Sequence, residues 1–146
     1  MAQDVNSPNF TIGVIGTGTM GRGIAQISVT GGFRVKMFDA QEGAAEKAQE
    51  FIHRMVSRAA EKGQMSEQGA TAANGRLQIV GSLDEMADCG MVIEAIVENL
   101  DVKRAVFGEL EGLVAEDTIL ASNTSSLSVT QIAAGCAKPE RVAGFH

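Results

Sequence analysis

Positive charge is scarce in this chain of 146 residues: 12 lysines and arginines stand against 18 aspartates and glutamates, a formal net charge of -6. A surface for nucleic acid needs a basic stripe against the phosphates, so the balance speaks against that partner. Long hydrophobic runs are also missing. No segment approaches the ~20 apolar residues of a membrane span. The first residues, Met1 to Asn9, are polar and lack the basic start and apolar core of a secretory leader, so no leader is expected. Cysteine is limited to Cys89 and Cys136, far apart and outside any CxxC spacing. That reads as two buried free thiols in a reducing cytoplasm. No internal repeat and no low-complexity linker interrupts the chain, and no metal is expected.

Glycine is plentiful, with 17 residues, most of them at turns and helix starts. The content of 45% hydrophobic and 21% charged residues is ordinary for a globular domain. The length suits one domain with a real core. We expect a flexible segment over residues 1–9 and a single domain over 10–146. Strand and helix signals alternate along it. Strands are expected at Thr11 to Ile15, Arg34 to Phe38, Leu77 to Val80, Met91 to Ala95, Thr118 to Ala121 and Arg141 to Phe145. Helices are expected at Met20 to Thr30, with Met20, Ile24 and Ile27 on its inner face, and at Glu42 to Lys62. The second would bury Ala44, Ala48, Phe51, Ile52, Met55 and Ala59. A shorter helix starts at Ser66, and another runs from Leu100 to Val114 over Val102, Val106, Leu110 and Leu113. Ser82 with Glu85, and Ser128 with Gln131, have capping-box spacing. This alternation, with near-continuous apolar strands, predicts an α/β fold: a doubly wound parallel sheet covered on both faces.

One turn carries a sharper signal. Gly16-Thr17-Gly18-Thr19-Met20-Gly21 follows the first strand and opens the first helix, and Asp39 ends the next strand. The first glycine permits the sharp turn, the second lets backbone approach a pyrophosphate, and the third lets helix and sheet pack closely. The helix N-terminus would then meet phosphates, and the acid would hold a ribose 2′-hydroxyl. This is a Rossmann dinucleotide fingerprint with the strand, helix and acid that it requires. No arginine accompanies Asp39, whose successors are Ala40, Gln41 and Glu42, so NAD is favoured over NADP. Asp39 also suits the N-cap of the following helix, and the two roles are compatible.

Doubly wound sheets bind ligands at the carboxyl ends of their strands. At the end of the fourth strand Glu98 is followed by Lys103 in the first helical turn, where a cation is mildly unfavourable. That lysine serves a ligand or is simply exposed. Beyond the fifth strand, Ser122-Asn123-Thr124-Ser125-Ser126 is a polar loop or a ligand contact. His146, at the end of the last strand, is a candidate general base or a frayed terminal residue. His53, in mid-helix, reads as surface. Lys47, Arg54, Arg58 and Lys62 form a strip interleaved with Glu50 and Glu61. It reads as a solvated, salt-bridged face or as a site for a phosphorylated ligand arm.

At these residues the chain resembles the 3-hydroxyacyl-CoA dehydrogenases. The segments that carry the resemblance are Gly13 to Gln26, Glu94 to Leu100, Ala121 to Leu127 and Arg141 to His146, and it runs from about residue 10 to the end. It implies that the glycine turn and Asp39 hold NAD, that Glu98 and Lys103 contact the cofactor, and that Ser125 lies between cofactor and substrate. It makes Lys62 a contact for CoA and His146 the catalytic base that takes the proton from a 3-hydroxyl. A serine common in the family is Met55 here. The family's histidine is followed by a glutamate partner and by a helical C-terminal domain with the dimer contacts. The sequence therefore looks like the N-terminal part of a longer enzyme, truncated before that domain. As a separate fragment it is expected to bind NAD with negligible turnover, while its parent would be a cytoplasmic homodimer acting on acyl-CoA in fatty-acid degradation. Other expectations compatible with the glycine turn are a dehydrogenase of a small hydroxyacid or sugar acid, and a non-enzymatic dinucleotide-binding module.

Overall fold

The computed structural model describes residues 4–145. Six parallel strands form one sheet in the order β3-β2-β1-β4-β5-β6. They are β1 (Thr11–Ile15), β2 (Arg34–Phe38), β3 (Leu77–Ile79), β4 (Met91–Glu94), β5 (Ile119–Ser122) and β6 (Val142–Gly144). β1 pairs with β2 on one side and β4 on the other, so strand order reverses there and a crevice opens at the carboxyl edge.

Five helices cover the sheet: α1 (Thr19–Thr30), α2 (Ala44–Glu61), α3 (Glu67–Gly75), α4 (Leu100–Leu113) and α5 (Val129–Ala133). Successive strand residues point to opposite faces, and the core is accordingly double. Val14, Val35 and Met37 pack with Ile24, Val29, Ile52 and Val56 on the face of α1 and α2. Ile15, Val92 and Leu120 pack with Phe107, Leu110 and Ile132 on the face of α4 and α5. Each such side chain, fully buried, contributes roughly 1.5–3 kcal/mol of transfer free energy. Ser66 and Ser128 cap α3 and α5 by accepting from Gly69 N–H and Gln131 N–H.

The expected alternation and the doubly wound sheet are present, but several helix faces differ from expectation. On α1 the inner stripe is Gly21, Ile24, Ala25, Ser28 and Val29, while Met20 and Ile27 are 59% and 74% exposed. Close contact at Gly21 sets the helix phase, rather than the largest apolar side chains. On α2 the stripe is Ala45, Ala48, Ile52 and Val56. On α4 it is Lys103, Phe107 and Leu110, with Val102 exposed and Val106 and Leu113 half-buried. Ser82 makes no side-chain cap, and Glu85 instead accepts from the Gly81 N–H at 2.7 Å. Lys47, Arg54, Arg58 and Lys62 are solvated as expected, yet none of them forms an ion pair among the described residues. Arg54 and Arg22 lie instead 5.8 Å and 3.8 Å from the Phe51 ring centroid. His53 is half-buried, not surface, and its Nε2 is enclosed without a hydrogen-bond partner. Cys89 and Cys136 are free and buried. Among the described residues, no helix is long and apolar enough to cross a membrane.

Candidate functional site

The loop after β1 is shaped by the absence of side chains. Gly16 has φ +92°, a left-handed conformation that strains other residues, and its N–H donates to the Phe38 carbonyl at 2.9 Å. A Cβ on Gly21 would collide with the Gly16 carbonyl, so the first turn of α1 can close on the loop only with glycine there. Around Gly18 the opposite holds: an added Cβ meets nothing within 4 Å, which leaves room for a group lying against the backbone. The N-terminus of α1 has no side-chain cap and no acidic residue in its first turn. The N–H groups of Thr19, Met20 and Gly21 have no partner within the helix and carry the positive end of its dipole.

Asp39 immediately follows β2. Its Oδ2 accepts from the Thr17 N–H and Oγ1, both at 2.8 Å, and its Oδ1 accepts from the Gln41 N–H at 2.9 Å. It therefore ties the glycine loop to the end of β2 and does not cap α2, whose N-cap is Gly43. A carboxylate oxygen accepts two hydrogen bonds, so Oδ1 keeps one lone pair for a ligand hydroxyl. Partial burial pulls the Asp39 pKa upward, but the bonds from Gln41 and Thr17 outweigh it and hold the carboxyl below its usual range. Beside Asp39 lies a cleft of about 470 Å³ walled by Gly16, Gly18, Val97, Val102 and Val106, with no lysine or arginine in its lining. Val102 is exposed because it faces this cleft.

A second cleft, of about 350 Å³, is lined by Met20, Ala95, Ile96, Glu98, Asn123 and Ser125. Ala95 and Ile96 line both clefts, so the two lie on either side of the chain leaving β4. A dinucleotide suits this arrangement. The uncapped helix and open Gly18 fit a pyrophosphate, the Asp39 carboxylate fits a ribose hydroxyl, and the apolar slot fits a flat base.

Below the second cleft is a buried charge network. Glu94, the last residue of β4, is fully enclosed. Its Oε2 accepts from Lys103 Nζ at 2.6 Å and the Ile96 N–H at 2.8 Å, and its Oε1 from Ser122 Oγ at 2.6 Å. Lys103 is fully enclosed as well and also reaches Glu98 Oε1 at 3.0 Å. Glu98 Oε2 accepts from Ser126 Oγ and Thr124 Oγ1, each at 2.7 Å. The Ser126 and Thr124 hydroxyls, with the Lys103 ammonium, hold the Glu98 pKa down to about 2.

The structure thus gathers Gly16, Gly18, Met20, Gly21 and Asp39 with Glu98 and Ser125 along one edge. Thr19 lies in the same first helical turn. Lys103 lines neither cleft; it is neither an exposed lysine nor a surface group. Lys62, at the C-cap of α2, is exposed and lines neither cleft. His146 lies outside the described residues; the preceding Phe145 donates its N–H to the Ser122 carbonyl at 2.8 Å. Sequence reasoning passed over Glu94 and had singled out Ser122 only as part of a polar loop. The available signal was a carboxylate inside the apolar run Met91 to Ile96.

The family of 3-hydroxyacyl-CoA dehydrogenase NAD-binding domains matches residues 11–146. A probable 3-hydroxybutyryl-CoA dehydrogenase of Bacillus subtilis is 42% identical over 133 residues, 91% of this chain and 46% of that protein. The crystal structure of a 3-hydroxybutyryl-CoA dehydrogenase from Escherichia coli K12 superposes with a TM-score of 0.91 at 38% identity, over 94% of this chain and 29% of that one. A (S)-3-hydroxybutyryl-CoA dehydrogenase from Ralstonia eutropha gives 0.88 at 36% identity, over 93% and 48%. The chain spans about half the length of the first curated relatives that it matches.

Proposed function

This chain belongs to the 3-hydroxyacyl-CoA dehydrogenase family as its NAD-binding domain, and from that premise we propose that the protein carrying it interconverts (S)-3-hydroxyacyl-CoA and 3-oxoacyl-CoA. The reaction belongs to acyl-CoA degradation of the β-oxidation type, in the cytoplasm, where Cys89 and Cys136 remain thiols. NAD, when bound, supplies the hydride acceptor for C3. Asp39 binds the adenosine ribose, and the turn Gly16 to Gly21 binds the pyrophosphate. Glu98 and Ser125 border the nicotinamide half, Ser125 between cofactor and substrate. His146 takes the proton of the 3-hydroxyl as the carbonyl forms. Lys62 meets the CoA portion, and homodimer assembly belongs to the same proposal.

The observation that supports this reading most is the meeting of the two clefts at Ala95 and Ile96. A dinucleotide crossing the chain that leaves β4 would reach from Asp39 on one side to Ser125 on the other. The test is turnover by the protein carrying this chain. Acetoacetyl-CoA should oxidise NADH, and free hydroxyacids should not reduce NAD. Activity confined to free hydroxyacids, or NAD binding with no CoA-thioester turnover, would overturn the proposal.

A further inference from the structure

Two fully buried charges need a reason beyond stability, because a buried ion pair seldom stabilises more than apolar side chains of the same volume. Glu94 and Lys103 are that pair, and their position suggests the reason. Glu94 stands opposite Ser122 in the register of β4 and β5. One carboxylate oxygen holds the Ser122 hydroxyl, and the other holds the Lys103 ammonium. Ser122 begins the loop that carries Asn123 and Ser125 into the second cleft, and its Oγ also accepts from the Thr124 N–H at 3.3 Å. The Asn123 N–H in turn donates to the Glu94 main-chain carbonyl at 2.8 Å. Lys103 holds Glu98 on the cleft's other wall, and Glu98 ties back to Thr124 and Ser126 of the same loop. Of the wall residues from the β4 and β5 ends, Ile96 is thus bonded to the enclosed carboxylate, Glu98 is linked to it through Lys103, and Asn123 is bonded to the Glu94 main chain, one residue before Thr124 and two before Ser125.

We infer that Glu94 is a positioning residue: through Lys103 and Ser122 it sets the geometry of the cleft wall formed by Glu98, Asn123 and Ser125, and so the affinity for the nicotinamide half of the cofactor. The inference rests on the assignment of that half to the second cleft. Two carboxylates share one ammonium, so the network carries one net negative charge. Lys103, Ser122 and the Ile96 N–H hold the enclosed Glu94, while Glu98 stands at the rim with its side chain 38% exposed. Neutralising Glu94 leaves Lys103 with Glu98 as its only carboxylate, which draws Glu98 inward, away from the cleft. It also replaces the acceptor for the Ser122 hydroxyl with an amide that must serve both neighbours.

The test compares Glu94→Gln with the native protein using two probes. NADH spans both clefts, and AMP reaches only the Asp39 side. The native protein should bind NADH more tightly than AMP; equal affinities would overturn the assignment of the nicotinamide half, and the inference with it. Given that preference, Glu94→Gln should weaken NADH by about tenfold, the scale of one charged hydrogen bond, and change the fluorescence of bound NADH while AMP affinity stays the same. A merely structural role would leave the ratio of the two affinities unchanged, and that result overturns the inference. Should Glu94→Gln fail to fold, Ser122→Ala removes the other arm. It should lower NADH affinity and leave AMP affinity alone; an unchanged ratio there also overturns it.

Discussion

The two halves of the sheet's carboxyl edge are built by different means. Between β1 and β2 the edge is made of backbone: a left-handed Gly16, a Gly21 against its carbonyl, and one carboxylate, Asp39, bonded mainly to main-chain N–H groups. Between β4 and β5 it is made of side-chain charge. Glu94, Lys103, Glu98 and three hydroxyl residues come from the strand ends and from the loop and first turn that follow them. The first half depends on what is missing at each position, and the second on what is paired. Substitutions should therefore damage them differently, through steric overlap on one side and through unpaired charge on the other.

The largest expected effect belongs to the charged side. Lys103→Met leaves the Glu94 carboxylate enclosed without its cation, and unfolding by urea should show a loss of about 3–5 kcal/mol. Replacing both partners, Glu94→Leu with Lys103→Met, should recover most of that loss. A double variant as unstable as the single one would contradict the view that charge, and not shape, governs this half. On the backbone side Gly21→Ala should cost about 1–3 kcal/mol by overpacking against the Gly16 carbonyl. No charge substitution should rescue it, and an unaltered urea midpoint would refute the close approach.

A smaller effect separates the halves by pH. The Glu98 pKa is about 2 in the folded chain against an ordinary 4.5. A depressed carboxyl contributes stability that is fully present above the unfolded value and is lost as pH falls through the folded one. The difference in stability between the native chain and Glu98→Gln should therefore be constant above about pH 5 and shrink as pH falls toward 2. A difference independent of pH would show that Glu98 is not held by Ser126, Thr124 and Lys103 in solution.

The same contrast explains what could be read beforehand. The glycine turn and Asp39 form a local pattern whose spacing follows from backbone geometry, and strand-helix alternation gave the doubly wound sheet in nearly its observed bounds. The face of α4 was misread because hydrophobic periodicity sends Val102 and Val106 inward and Lys103 outward. In the structure Val106 is half-buried against the core, but Val102 is exposed beside the Asp39 cleft and Lys103 is enclosed with a buried partner nine residues away. Glu94 was passed over for a related reason, although it interrupts an apolar run. A lone carboxylate at a strand end shows its meaning only when β5 brings Ser122 beside it. On α1 Gly21 sets the helix phase, so the exposure of Ile27 follows from a contact that residue size does not disclose.

The most direct measurement is a calorimetric titration of NAD and NADP against the native chain and Asp39→Ala. In the proposed function the Asp39 carboxylate takes a ribose hydroxyl, and the lining of the adjoining cleft includes no lysine or arginine for a 2′-phosphate. NAD should therefore bind more tightly than NADP by about tenfold or more, and Asp39→Ala should weaken NAD by roughly 1–3 kcal/mol. Equal affinities of the native chain for NAD and NADP, or an Asp39→Ala variant that binds NAD unchanged, would contradict the account.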